Sequence, residues 1–163
     1  ITDTLFESAD RYQKHLVGMF VIPAILNDSR AKEANVKLMP ALILDLDEVP
    51  AQQAIEWLEE EIGSPSMVVA SGGNNQYGPK LHAYYVFDEP LPPANVIPLI
   101  TNLSALIGAD PSLIRRTQPI RIPGTIHQKN NEPSMVKLVS WNSDTFSESE
   151  LRDKIKSGFA LSL

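Results

Sequence analysis

The sequence predicts an α+β fold, a mostly antiparallel mixed sheet with a split βαβ core and helices packed on it. Three observations carry this expectation. The middle of the chain runs strand, helix, strand, strand, helix, strand, an order that suits a split βαβ arrangement. The strand segments "ALILD", "SMVVAS" and "LHAYYVF" are short apolar runs rich in branched and aromatic residues, bounded by turn residues. Finally, 163 residues with 43% hydrophobic composition suffice for one well-buried core and are too few for two full domains.

Taken in order, Leu5 to Leu16 reads as a modest helix, and "MFVIPAIL" as an edge or bulged strand because Pro23 cannot donate to a ladder. "NDSRAKEANVK" is a polar connection, and "ALILD" a central strand. "AQQAIEWLEEEIG" has Ala54, Ile55, Trp57, Leu58 and Ile62 near helical spacing, with Gly63 as terminator and Pro65 beyond. "SMVVAS" follows as a buried strand, then "GGNNQYGPK" as a loop longer than a tight hairpin needs, then the strand "LHAYYVF". A second helix is expected from Pro93 to Ile107, weakened by Pro98 and closed by Gly108, with Asp110 at its exit. "QPIRIPGTIHQKNNEPSMVKLVSW" reads as a short strand, a turn and a final strand, and "SESELRDKIKSG" as a capped helix. The expected organisation is one domain: an N-terminal α/β part to about residue 40, a core over about 41–141 and a helix over about 147–158.

Charge and composition narrow the function. The chain has no cysteine, which excludes disulfides and thiolate zinc sites. Apolar runs such as "LVGMFVIPAIL" are about half the length of a membrane span, and no signal peptide is apparent, so a cytoplasmic protein without a membrane partner is expected. The start at Ile1 suggests a fragment of a longer protein. A net charge of −6 argues against a broad nucleic-acid-coating surface. The charge is unevenly spread: Leu42 to Ile62 holds seven acids and no Lys or Arg, whereas Pro111 to Ser140 holds five bases against Glu132 alone. One segment suits metal cations, the other phosphates.

The acids that matter most are Asp45 and Asp47 in "ALILDLDEVP". In an extended chain residues two apart share a face, so both carboxylates can converge on one site while Leu46 turns to the core. The plainest alternative is that Asp47 and Glu48 serve the N-terminus of the following helix. A phosphatase of the haloacid-dehalogenase type would use the same D-x-D, with "VVAS", Lys137 and "SDTFSE" as its other motifs, but Lys137 and Asp144 lie too close in sequence for the strand-helix unit between them. Nucleotidyl transfer by two metals about 3.5–4 Å apart is the third reading. Hard carboxylate oxygens suit magnesium or manganese. Such a clamp wants a third acid, for which Asp110 is available, with Asp88 and Glu89 as rivals, and cationic groups for a triphosphate. Asp110 could equally start a turn with Pro111. Tyr84, Tyr85 and Trp57 read first as core, and His127 as a turn histidine that could contact phosphate.

The ordered set "LILDLDE", "VVASGG…LHAYYVFDEPL" and "GADPSLIRRTQPIRIPGTIHQKN" resembles the archaeo-eukaryotic primase superfamily, and is most similar to primase-polymerase domains of plasmid, phage and integrated-element replication proteins, including RepB-type primases. It runs from about Asn35 to Leu138, roughly two thirds of the chain. The resemblance implies an RRM-like catalytic core and a DNA primase or polymerase that condenses nucleoside triphosphates on a single-stranded DNA template with two magnesium or manganese ions, in a bacterial, archaeal or phage-infected cell, with a helicase domain or subunit as a candidate partner. It implies Asp45, Asp47 and Asp110 as metal ligands, Ser71 and Gly72 as a turn beside them, His82 as a phosphate contact, and Arg121 and Lys129 as triphosphate or template contacts. Arg115, Arg116 and His127 are further nucleic-acid candidates. Many relatives place the histidine a few residues after the serine-glycine pair, whereas "GNNQYGPKL" intervenes here. A catalytically silent module that binds nucleotide or single-stranded DNA is the rival from another class.

Overall fold

A computed structural model of the chain describes Glu7, residues 18–129 and residues 132–161, with only the backbone of Lys129, Glu132 and Leu161. Of the expected helix Leu5 to Leu16 only Glu7 is described, and it is helical and exposed; the rest lies outside the described residues. The strands are β1 (Phe20–Val21), β2 (Ile25–Leu26), β3 (Val36–Asp45), β4 (Met67–Asn75), β5 (Gly78–Leu91), β6 (Ile120–Arg121), β7 (Ile126–Lys129), β8 (Glu132–Met135) and β9 (Lys137–Trp141). The helices are α1 (Ala51–Glu61), α2 (Pro93–Ile107) and α3 (Glu148–Leu161), with short 3-10 turns at Glu33–Asn35 and Pro111–Ile114.

The main sheet has the order β2-β3-β5-β4-β9, every neighbouring pair antiparallel. β3 and β4 are therefore parallel to each other, joined through α1, and held apart by β5, which is the expected split βαβ unit. After α2 the chain returns to the Asp45 end of β3, on the side away from β5, at a single antiparallel bridge, Asp45 with Asp110. The first expected edge strand is two pieces. Pro23 separates β1, which pairs with β6, from β2, which pairs with β3. β3 is twice the length of "ALILD" and begins within the segment read as N-terminal.

The two faces of the sheet are buried differently. Leu42, Leu44 and Leu46 alternate onto one face and pack with Leu58 of α1, Leu99, Ile100 and Leu103 of α2, and Leu151 of α3. Helix ends follow their local signals: the N–H of Gly63 bonds to the Leu58 carbonyl after α1, and Gly108 closes α2 at φ +70°. The other face carries Ala41, Ile43, Val69 and Tyr84 under Leu113, Ile120 and Val136. There a thin layer of irregular chain replaces helices, and a cleft remains beside it. Tyr85 is fully buried, and its hydroxyl donates to the Gly63 carbonyl at 2.9 Å.

These contacts rank two substitutions. Leu44→Ala opens a cavity where the side chain has no exposure and should cost about 2–5 kcal/mol. Tyr85→Phe keeps the ring and removes one hydrogen bond, costing about 1 kcal/mol. Urea unfolding of both variants measures the difference, with equal m-values expected.

Candidate functional site

The site is built at the ends of β3 and β5. Their register sets Asp45 directly opposite His82, with Leu44 opposite Ala83 and Ile43 opposite Tyr84. A hydrogen bond from Leu46 N to the Leu81 carbonyl, 2.9 Å, carries the pairing one residue past the strand. Leu46 is wholly buried, and Asp45 and Asp47 turn together to the opposite side. One oxygen of each aspartate and one ring nitrogen of His82 all lie within 4.8 Å of one another. His82 Nε2 is 3.7 Å from Asp45 Oδ1. Asp47 does not cap α1, whose N-cap is Pro50 without a side-chain bond; its Oδ2 accepts from Lys80 Nζ at 2.8 Å. Asn75 Nδ2 donates to the Asp47 carbonyl at 2.7 Å and fixes the turn that presents it.

The segment expected as a long loop is a hairpin. β4 and β5 pair out to Asn75 and Gly78, leaving Gln76 and Tyr77 as the turn. The register shifts between Ala70 and Asn74, so that Ser71, Gly72 and Gly73 bulge opposite the single residue Lys80. The extra sequence before His82 is thus absorbed in the bulge and the hairpin tip, and His82 stays in register with Asp45. Gly72 has φ +87°, and a Cβ there would stand 2.6 Å from His127 Cβ. The missing side chain lets the β7–β8 hairpin close over the bulge. His127 Nδ1 is 3.1 Å from the Ser71 carbonyl, and the Ser134 hydroxyl donates to the Gly72 carbonyl.

These elements enclose a cleft of about 690 Å³ lined by Asp45, Asp47, Ser71, Gly72, Lys80, His82, Arg121 and His127 among others. Most residues singled out from sequence therefore meet in one place. Arg121 is half-buried, with its guanidinium 5.1 Å from the Phe20 ring centre. Asp110 reaches Asp45 through the backbone, its N–H donating to the Asp45 carbonyl at 3.0 Å. Its carboxylate caps the 3-10 turn by accepting from Ser112 N at 2.8 Å, and it is not among the converging donor atoms. Arg115 is exposed and Arg116 half-buried, and neither lines the cleft. Lys129 lies on β7 opposite Glu132, its side chain outside the description. The rival acids Asp88 and Glu89 sit at the far end of β5, where Asp88 accepts from Thr145. Lys137 and Asp144, needed for the phosphatase reading, do not line the cleft either.

Sequence reasoning missed Lys80, Asn75 and Ser112. Ser112 Oγ is 3.4 Å from Asp45 Oδ2. Lys80 could have been found by alternation, since it stands two residues before His82 on one strand.

The electrostatics follow from burial. The Asp45 carboxyl is pushed up to about 8, first by desolvation and then by the neighbouring Asp47 carboxylate, with Asp110 adding and Lys80 opposing. Burial lowers the His82 pKa and keeps its imidazole neutral at pH 7. Asp45 Oδ1 and Asp47 Oδ1 are buried without a hydrogen-bond partner among the described residues. Two hard, unpaired oxygens beside an imidazole fit a divalent cation such as magnesium or manganese.

The fold is that of the archaeo-eukaryotic primase (AEP) domain. The chain is similar to the AEP domain of the primase-polymerase of cyanophage S-2L, with 18% identity, a TM-score of 0.72, and coverage of 91% of this chain and 76% of that one. It is also similar to the catalytic domain of the primase RepB′ in complex with initiator DNA, with 13% identity, a TM-score of 0.66, and coverage of 99% and 77%. A longer structure of primase RepB′ gives 13% identity and a TM-score of 0.57 over 78% of this chain and 42% of that one. No family model and no curated protein sequence matches. Among the described residues no helix is long and apolar enough to cross a membrane.

The raised Asp45 carboxyl has a consequence for stability. The folded chain keeps a proton up to about pH 8 that the unfolded chain releases near the ordinary value of 3.8. The associated stabilisation is complete in acid and is lost as pH rises through about 8. Melting in a chelator from about pH 4 to about pH 9 should show a falling Tm for the wild type. Asp45→Asn should flatten that fall and melt higher than the wild type at the alkaline end.

Proposed function

We propose that this chain is a template-directed nucleotidyltransferase of the primase-polymerase kind, acting in replication of a plasmid, phage or integrated element. The observation that carries the reading is the convergence of Asp45, Asp47 and His82 in a cleft of an AEP fold. Asp45 and Asp47, with Asp110 as third acid beside them, would hold two magnesium or manganese ions. When bound, such ions neutralise triphosphate charge and lower the barrier to attack by a 3′-hydroxyl.

The remaining roles belong to the chain's own groups. Arg121 offers a planar pair of N–H donors to phosphate oxygens inside the cleft. His82, neutral through burial, donates one hydrogen bond to a phosphate oxygen without adding charge. Ser71 and Gly72 keep the bulge open beside it, and His127 braces that bulge from the facing hairpin. Lys129, Arg115 and Arg116 supply positive charge to a single-stranded DNA template. Catalysis on this scheme is positioning and charge neutralisation, with little proton transfer asked of side chains. A helicase domain or subunit as partner and a cytoplasmic setting belong to the same reading.

A silent nucleotide- or DNA-binding module is the second reading, and the Asp47–Lys80 ion pair speaks for it by occupying a carboxylate that catalysis needs. Primer synthesis and extension on single-stranded DNA with manganese separates the two. Asp45→Ala and Asp47→Ala should each lower incorporation by about a hundredfold or more. Nucleotide binding by the wild type without any incorporation would favour the silent module instead.

A further inference from the structure

The Lys80 ammonium is the one cation within hydrogen-bond distance of the paired aspartates among the described residues, 2.8 Å from Asp47 Oδ2. The backbone is shaped to put it there. β4 bulges by two extra residues opposite Lys80, so the side chain points into the cleft on the same strand face as His82. A Cβ on Gly73 would come within 3.0 Å of Lys80 Cδ, and the glycine leaves the lysine stem room to swing. Both members of the ion pair are about a quarter exposed, with side-chain exposures of 22% and 26%. The pair is therefore breakable, unlike a fully buried one.

A divalent cation on Asp47 and an ammonium on the same carboxylate would repel at short range. The divalent ion has the advantage of also engaging Asp45 Oδ1 and Asp47 Oδ1, to which no described residue donates a hydrogen bond. A displaced lysine then has four rotatable bonds, and it shares its cleft with Arg121. We propose that Lys80 is an exchangeable counter-ion: it neutralises Asp47 until a divalent cation displaces it, and its ammonium then binds the triphosphate of the incoming nucleotide. The role rests on the nucleotidyltransferase reading and makes Lys80 a nucleotide-binding residue as well as a competitor of the metal. It also turns the contact that favours a silent module into a loading device, in which the acids are neutralised one way before metal arrives and another way after.

The two halves of this role predict opposite changes on substitution. Lys80→Met and Lys80→Arg are compared with the wild type for manganese affinity without nucleotide, by electron paramagnetic resonance of free Mn²⁺. Affinity for a deoxynucleoside triphosphate, and for the matching monophosphate, is measured by calorimetry with manganese present. Lys80→Met should bind manganese about threefold or more tightly and the triphosphate about tenfold or more weakly, with a smaller change for the monophosphate. Lys80→Arg should keep triphosphate affinity within about threefold. Lys80→Gln replaces the methionine variant if that one does not fold. Unchanged triphosphate affinity in Lys80→Met, or looser manganese binding, overturns the inference. Failure of the wild type itself to bind triphosphate with manganese overturns the nucleotidyltransferase reading, which is a separate outcome.

Discussion

The antiparallel register of β3 on β5 is the constraint on which the rest depends. It sets Asp45 against His82 and, by the same alternation, places Leu42, Leu44 and Leu46 on the helical face. A slip of one residue would drive a carboxylate into the apolar core and a leucine into the cleft. The register is therefore enforced by three fully buried leucines, which contribute far more free energy than any contact made in the cleft. The core specifies the site, and the site adds little to the core. Removal of a cleft carboxylate and removal of a core leucine consequently act on different properties of the molecule.

The cleft stores unfavourable electrostatics that this frame can tolerate. Two aspartates held side by side and partly desolvated raise the Asp45 carboxyl to about 8, while burial lowers the pKa of His82. An isolated surface would relax by turning the side chains to water; here the bulge, the β7–β8 hairpin and the layer over Ile43 and Tyr84 hold them in place. Such opposed shifts in one cleft are what a site prepared for a multivalent cation would show. The chain's net charge of −6 is no obstacle, because Arg121 and Lys80 bring positive charge into the cleft itself.

Much of this was legible in the sequence where the signal is local. The D-x-D face, the helix from Pro93 to Ile107 with Gly108 closing it and the ends of α1 each follow from spacing and from glycine and proline chemistry, and they stand where expected. What failed was non-local. "GGNNQYGPK" has the composition of a loop, and only cross-strand hydrogen bonds to β5 make it a bulged hairpin. Because that segment reads as a loop, its alternation goes unread, and Lys80 is missed beside His82. The pairing of β1 with β6 escapes for the same reason, since the two lie about a hundred residues apart, although "MFVIPAIL" itself reads as strand. Asp110 stands beside Asp45 through a backbone bridge, and its carboxylate accepts from Ser112 N in the turn that Asp-Pro suggests; the sequence leaves open which of the two roles the side chain takes.

On the proposed function, Asp45 and Asp47 form a cation clamp at the head of a triphosphate site. Anomalous diffraction from crystals grown with Mn²⁺ and a non-hydrolysable deoxynucleoside triphosphate tests it most directly. Manganese should be bound by both aspartates, with the triphosphate between them and Arg121. Manganese elsewhere on the chain, or a triphosphate bound away from this cleft, would contradict it.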